Sequence, residues 1–257
     1  MNTTAIDVTA HAPLDHGEAM NLLSVELDQT LDLLRSLSGP DWSAPTDCPD
    51  WDVRQMYLHV LGACEAGASM KENIHQMRAA RSHRKAHGGP LEAGLSAVQV
   101  RERIDLSPSE LIGRLETVAL ETVRKRTTMP ALMRRMKMKI DGPVVETWTL
   151  GYLVDTIYLR DLWMHRIDTS MATGSEPMLT TSHDGAIVAD VVAEWARRHG
   201  RPFTLMLGGP AGGTYTSDGA DTAGYVAEPI EIDAVEYCRN LAGRGESAPL
   251  FDTIVPF

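Results

Sequence analysis

The sequence predicts a mainly α protein in which a four-helix bundle precedes a small α+β domain. Four amphipathic helical segments lie within the first 173 residues, and several such segments of this length favour a bundle. After residue 181 the pattern changes to helices and short strands, which is typical of an α+β domain. Hydrophobic residues make up 43% of the 257, enough to bury a full core.

The first half of the bundle is predicted from leucine spacing and from helix-ending residues. Residues 1–16 are expected to form a disordered lead, and helix one to run from about Gly17 to Ser38, where Gly39-Pro40 ends it. Helix two is expected to start near Asp50, a suitable N-cap, and to reach about Ala80. Residues 83–90 then read as a loop.

The second half of the bundle has a clear start signal for helix three. Ser107-Pro108-Ser109-Glu110 combines a capping box with a proline at the first helical position. Residues 136–140 alternate apolar and basic side chains, which predicts a short strand or an extended arm. Helix four is expected over about Thr147–Asp168, so the bundle spans residues 17–173.

The α+β domain is expected over residues 182–257, after a linker at 174–181. Its first helix is predicted at 182–199 and its strands at 203–207, 214–216 and 229–232. The glycine-rich residues 208–213 read as a hairpin turn, because a phosphate loop would need a Lys-Ser/Thr ending and a following helix. Asp233 is then expected to cap a last helix reaching about Ala242.

Composition excludes several classes of function. A net charge of −11 argues against a nucleic-acid binder, and no apolar run reaches membrane-spanning length. Residues 1–16 hold no apolar run typical of a signal peptide, and the three cysteines are widely spaced. We therefore expect a cytoplasmic protein that binds neither nucleic acid nor membrane.

A carboxylate and an imidazole four residues apart form the main candidate site. Asp161 and His165 continue the apolar face of helix four, where two ionisable groups need a partner to offset desolvation. A divalent metal is one such partner, but it needs a third ligand. His59 is the best candidate because it lies on the apolar stripe of helix two. The alternative is that Asp161 and His165 simply hydrogen-bond each other.

Two motifs resemble a known family. The segment Pro45-Thr46-Asp47-Cys48-Pro49-Asp50-Trp51-Asp52-Val53-Arg54, with His59-Val60 after it, resembles the opening motif of the mycothiol-dependent maleylpyruvate isomerase family. Asp161-x-x-x-His165 falls at that family's carboxylate and histidine positions. Residues Leu241-Ala242-Gly243-Arg244 resemble its sterol-carrier-like C-terminal domain. The resemblance covers about residues 17–257 and implies a DinB-like metal-binding bundle.

The resemblance also implies a reaction and its cofactors. A divalent metal, usually zinc, would be held by His59, Asp161 and His165, although the family's carboxylate is typically Glu. The thiol cosubstrate would be mycothiol, acting as a thiolate nucleophile on a small electrophilic or anionic substrate. Either the thiol leaves after cis–trans isomerisation, or it stays attached, as in an S-transferase. Arg244 would bind a substrate carboxylate, unless it is a surface arginine.

Further side chains carry two interpretations each. Asp168 could orient His165, or it could form an ordinary helix-end hydrogen bond. Cys48 and Trp51 are interpreted as packing residues of the loop before helix two, and the alternative for Cys48 is a redox or metal-ligand role. For the chain as a whole, the alternative to an enzyme is a non-catalytic small-molecule-binding or stress-related protein of the same fold.

Overall fold

The computed structural model describes residues 5–8, 11–142, 145–217, 229–244 and 253–257. The chain divides into two compact units, Asp15–Glu176 and a second one composed of Met1–Leu14 and Pro177–Phe257. None of the described helices is long and apolar enough to cross a membrane.

The first unit is a bundle of four long helices that contact one another, with a fifth long helix and several shorter elements around it. α1 contacts α5 and the last helix of the unit, α8, while α2 contacts α4, α5 and α8. The mainly α fold class, with a DinB-like bundle before a small α+β part, is confirmed. The elements of this unit are α1 His16–Ser36, α2 Val53–Ala68, α3 Met70–His87, α4 Leu91–Arg101, α5 Pro108–Thr127, α6 Ala131–Arg134, β2 Lys137–Ile140, β3 Glu146–Thr149, α7 Leu150–Tyr152 and α8 Tyr158–Thr173.

Capping residues define where the bundle helices begin. The predicted capping box of helix three is confirmed. The Ser107 side chain accepts from the backbone N–H of Glu110, and the Glu110 carboxylate accepts from the backbone N–H of Ser107. α2 has the same arrangement at Asp52 and Gln55, so the predicted N-cap at Asp50 is wrong by two residues. A 3₁₀ turn at Pro40–Ser43 lies between α1 and α2.

Predicted helix two is in fact two helices. Ser69 has an extended conformation (φ −135°, ψ 115°) and its hydroxyl accepts from the N–H of Glu72, which ends α2 and starts α3. α3 then continues to His87, so the loop predicted from residue 83 begins later, at Gly88 (φ 77°). The helix α4 was not predicted, because its apolar residues follow no single face.

The start of predicted helix four is a strand. Residues 146–149 form β3, paired antiparallel with β2, so the strand alternative for residues 136–140 is confirmed. The helix begins only at Leu150, where Thr149 is the N-cap. Residues Leu153–Ile157 form a π-helical turn between α7 and α8, and this wider turn shifts the helix face that the sequence pattern predicts.

The second unit contains a four-stranded sheet. Its strand order is β1-β5-β4-β6. β4 and β5 form the predicted antiparallel hairpin, β1 pairs in parallel with β5, and β6 pairs in parallel with β4. The prediction of a disordered lead over residues 1–16 is wrong for Ile6 and Asp7, because these residues make β1 on the sheet edge. Residues 1–4 and 9–10 of that lead lie outside the described residues. The elements are β1 Ile6–Asp7, α9 Asp184–His199, β4 Phe203–Gly208, β5 Gly213–Ser217, β6 Ile230–Asp233 and α10 Ala234–Leu241.

Candidate metal centre

Helix α8 is buried on almost every side and carries two of the candidate ligands. Every residue from Leu162 to Ser170 is buried, including polar and charged ones. Because Asp161 and His165 are one helical turn apart, they point the same way. The Asp161 side chain is 30% exposed and that of His165 only 3%, so the pair has one open and one closed side.

The structure brings His59, Asp161 and His165 together. The Asp161 Oδ1 atom lies 3.3 Å from His165 Nε2, and its Oδ2 atom lies 3.8 Å from His59 Nε2. Potential ligand atoms of the three residues all lie within 4.8 Å of one another. Two ligands each about 2.0–2.1 Å from a tetrahedral metal are about 3.3–3.5 Å apart, so these separations are close to those of a metal site. The shorter Asp161 side chain thus reaches both histidines, one with each oxygen.

Burial and charge act in opposite directions on the Asp161–His165 pair. Burial by itself would raise the pKa of Asp161, but the nearby His165 and His59 imidazoles together outweigh it and hold that pKa well below its usual range. Burial would lower the pKa of His165, but the Asp161 carboxylate raises it well above its usual range. Even so, neither ring nitrogen of His165 has a hydrogen-bond partner among the described residues.

A chain of amides fixes the orientation of the His59 ring. The Gly62 carbonyl accepts from Gln76 Nε2 at 2.9 Å, so Gln76 Oε1 is left to accept from Gln99 Nε2, also at 2.9 Å. Gln99 Oε1 must then accept from His59 Nδ1–H, at 2.7 Å. In this tautomer the His59 Nε2 lone pair is directed away from the amide chain and toward Asp161. His59 Nδ1–H is held as a metal-ligating histidine usually is.

Gln76 and Gln99 were missed by sequence reasoning. They are the second and third members of this amide chain, and both are buried. Gln99 lies on α4, the helix that was not predicted, and neither side chain is a metal ligand by type. The one available signal was a glutamine between Val98 and Val100, within a segment with many apolar residues.

The other side of His165 faces a second group of polar side chains. Asp168 Oδ2 lies 3.5 Å from His165 Nδ1, and Cys48 Sγ lies 3.9 Å from Asp168 Oδ2. These three residues also form a group whose potential ligand atoms lie within 4.8 Å of one another. The His165 ring faces Asp161 with Nε2 and Asp168 with Nδ1, so it lies between two groups of polar side chains. Trp51 stacks on the His59 ring, with centroids 5.1 Å apart.

Arg244 belongs to the second unit and follows α10. Its backbone N–H donates to the Arg239 carbonyl at 2.9 Å, which completes the turn at Gly243 (φ 74°). Its Nη1 donates to the Ala242 carbonyl at 3.4 Å. The role of Arg244 in binding a substrate carboxylate stays a prediction.

The fold and the site together define a class of protein. The helical bundle of the first unit has the DinB-like fold, and His59, Asp161 and His165 converge inside it. Within that class, the family model for the mycothiol maleylpyruvate isomerase N-terminal domain matches residues 23–170, more than half of the chain, and the chain belongs to this family. The resemblance seen in the sequence motifs is confirmed.

Two solved structures are similar to this chain over most of its length. A mycothiol-dependent maleylpyruvate isomerase gives a TM-score of 0.57 at 14% sequence identity, covering 93% of this chain and 92% of that chain. An alanine mutant of a mycothiol-dependent maleylpyruvate isomerase gives a TM-score of 0.56 with the same identity and coverage. A comparison with curated proteins gives no match. At this identity the solved structures establish the shared fold.

Proposed function

We propose that this chain is a metal-dependent enzyme that uses a low-molecular-weight thiol, mycothiol, to isomerise a cis double bond in a maleylpyruvate-like substrate. The observation that carries the proposal is the convergence of His59, Asp161 and His165 within 4.8 Å inside the bundle. Membership of the family supports the choice of thiol and substrate class.

The side chains present fit a divalent metal. Neither buried nitrogen of His165 has a hydrogen-bond partner among the described residues, so the ring is not satisfied by the protein alone. His59 presents an unprotonated Nε2 on the Asp161 side, because Gln99 holds Nδ1–H. Two imidazoles and one carboxylate are a ligand set of catalytic zinc, and three protein ligands leave a fourth position open. We propose these three residues as the ligands, with zinc as the first candidate.

When bound, such a metal would supply a Lewis acid that lowers the pKa of a thiol cosubstrate, so that the thiol acts as a thiolate at neutral pH. The partly exposed Asp161 marks the side from which a thiol and a substrate can approach, since His165 is closed off. The thiolate adds to the conjugated double bond, and the electron pair moves to the carbonyl. The carbon–carbon bond is then single and rotates, and elimination of the thiolate returns the trans double bond.

Metal content tests the ligand set. Wild-type protein should bind about one divalent metal per chain, while His59→Ala and His165→Ala should each lose most of it, because two protein ligands are too few for a stable site. Elemental analysis after dialysis against zinc measures this. His75→Ala is a matched control, since His75 is a more exposed histidine that pairs with Glu102 at 2.9 Å. If both ligand variants retain metal as well as the control does, the assignment is wrong.

Product analysis tests the reaction. Zinc-loaded protein incubated with mycothiol and maleylpyruvate should release an isomer of unchanged mass, with the thiol regenerated. A product heavier by the mass of the thiol would instead identify an S-transferase. Bound metal with neither product would favour a non-catalytic binding or stress-related protein.

A further inference from the structure

A pocket separate from the group of His59, Asp161 and His165 lies in the first unit, near the C-terminal ends of α2 and α5. Its volume is about 420 Å³, within the range of natural small-molecule sites. The side chains around it are largely apolar, and three are methionines, which adapt to ligands of irregular shape. They include Met70, Met129, Met133, Leu150 and Val154. Val154 belongs to the π-helical turn, a feature that often marks functional sites.

The pocket contains a buried cation that has no anionic partner among the described residues. Arg126 lines the pocket and is only 5% exposed. In the part of the chain that the structure describes, no carboxylate forms an ion pair with its guanidinium and no acceptor receives its N–H groups. Its contact is with the Tyr158 ring, whose centroid lies 4.0 Å from Arg126 Cζ. A ring face supports the guanidinium plane but leaves the N–H edges unsatisfied.

Two other buried arginines of the same unit show what the protein does with a structural arginine. Arg103 donates to Glu65 at 2.8 Å and to Glu72 at 2.9 Å. Arg166 donates to Glu26 at 2.6 and 3.0 Å. Because a buried charge without a partner is costly, the unpaired Arg126 indicates that its anion comes from a ligand.

A glycine lines the pocket wall beside this guanidinium. Gly67 lies inside α2 and lines the pocket, although glycine is unfavourable within a helix. A Cβ at this position would come within 3.3 Å of Arg126 Nη2 and 3.1 Å of Thr122 Cγ2. The missing side chain therefore lets Thr122 and Arg126 of α5 approach this turn of α2 closely, with the Arg126 guanidinium at the pocket wall.

We propose that this pocket binds an organic carboxylate with an apolar body. The two parallel N–H groups of Arg126 would receive the carboxylate oxygens, as an arginine fork does, and the methionine-rich wall would hold the apolar part. Lys125 lies at the same pocket but is already 3.7 Å from Glu121, so Arg126 is the anchor. The proposal rests on neither the metal nor the thiol.

Calorimetric titration of the full chain, stripped of metal with a chelator, tests the site with octanoate as the probe. One molecule should bind per chain with a dissociation constant of about 1 mM, a reasonable affinity for a ligand of this size. Octylammonium, of the same length and opposite charge, should not bind. Arg126→Met should weaken octanoate binding about tenfold or more, through loss of charge-assisted hydrogen bonds. The absence of saturable octanoate binding to wild type would overturn the proposal.

Arg124→Met is the matched control, because Arg124 is an exposed arginine of the same helix and pairs with Glu121. It should bind octanoate like wild type. If Arg126→Met does so too, the anchor is wrong. Should Arg126→Met fail to fold, judged by its thermal melt, Gly67→Leu serves as a second variant. It adds a side chain at the pocket wall while Arg126 is retained, and it should also abolish octanoate binding. Unchanged octanoate binding by Gly67→Leu would overturn the site.

A third titration, with maleylpyruvate, separates an apolar effector from a polar substrate. This dicarboxylate has a short polar body, so we expect it to bind more weakly than octanoate. Tighter, Arg126-dependent binding of maleylpyruvate would overturn the apolar body as the recognised feature and assign the pocket to the reacting substrate. Because the protein is free of metal in all these titrations, failure of the proposed metal centre would not affect their outcome.

Discussion

Helices α1 and α8 lie against each other in the bundle, yet they are built on different principles. α1 buries mostly apolar residues along one stripe: Ala19, Met20, Leu23, Leu27, Leu31 and Leu34. α8 is buried on all sides over its central turns, and its buried residues include arginine, histidine, aspartate and threonine. A leucine stripe positions a helix without further help, whereas each buried polar residue needs a specific partner.

Most polar residues of α8 have an identified partner. Arg166 forms a bidentate pair with Glu26 of α1, and Thr169 donates to the His165 carbonyl at 2.8 Å. His165 differs, because its ring nitrogens face carboxylates without forming hydrogen bonds to the described residues. The contrast separates polar groups that stabilise the bundle from His165, which we propose as a metal ligand.

The largest effect should come from breaking the buried pair between the two helices. Arg166→Met leaves the Glu26 carboxylate without this partner in a buried position, which should cost about 3–5 kcal/mol of unfolding free energy. Urea denaturation measures it. For comparison, Leu27→Ala on the α1 stripe should cost about 2–5 kcal/mol through lost packing.

A double variant distinguishes the charge from the packing. Glu26→Gln combined with Arg166→Met removes both charges and should recover part of the loss, because an uncompensated buried charge is costlier than a neutral pair. An equal or greater loss in the double variant would show that the pair stabilises the bundle by shape and not by charge compensation.

The same contrast explains what the sequence could predict. The leucine spacing of α1 and the capping box at Ser107 are local signals, and the structure has a helix at both places. The pairing of Asp161 with His165 was visible because residues four apart share a helix face. His59 was predicted as the third ligand because of the apolar residues around it in the sequence, and the structure places it beside Asp161.

What could not be predicted depends on contacts between distant segments. The break at Ser69 is an exception, because it is local: the Ser69 hydroxyl accepts from the Glu72 N–H and caps α3, but a single serine within an otherwise helical pattern is a weak signal. Gln99 becomes informative only when α4 packs against α2 and brings its amide to His59. The isolation of Arg126 cannot be seen in a sequence at all, because it is the absence of a partner in space among the described residues.

An intermediate effect is expected where the amide chain meets the candidate ligands. Gln99→Leu removes the acceptor of His59 Nδ1–H and should weaken zinc binding about 10–100-fold, because partners of ligating histidines set the ring orientation. Competition with a zinc-responsive dye measures the affinity. His75→Asn, a change at a more exposed histidine, serves as the control. If Gln99→Leu binds zinc like this control, His59 is not oriented by the chain, or it is not a ligand.

The smallest effect should come from the start of α1, where only local structure is involved. Asp15 Oδ1 accepts from the Glu18 N–H at 2.9 Å, and the Glu18 carboxylate accepts from the Asp15 N–H at 3.1 Å. Asp15→Ala removes one half of this capping box and should cost about 1 kcal/mol of unfolding free energy. Zinc content should not change, since α1 contributes none of the three candidate ligands. Loss of metal in Asp15→Ala, with stability preserved, would mean that the polar site of α8 depends on how α1 begins. The distinction between α1 as a packing helix and α8 as the helix of the candidate ligands would then be wrong.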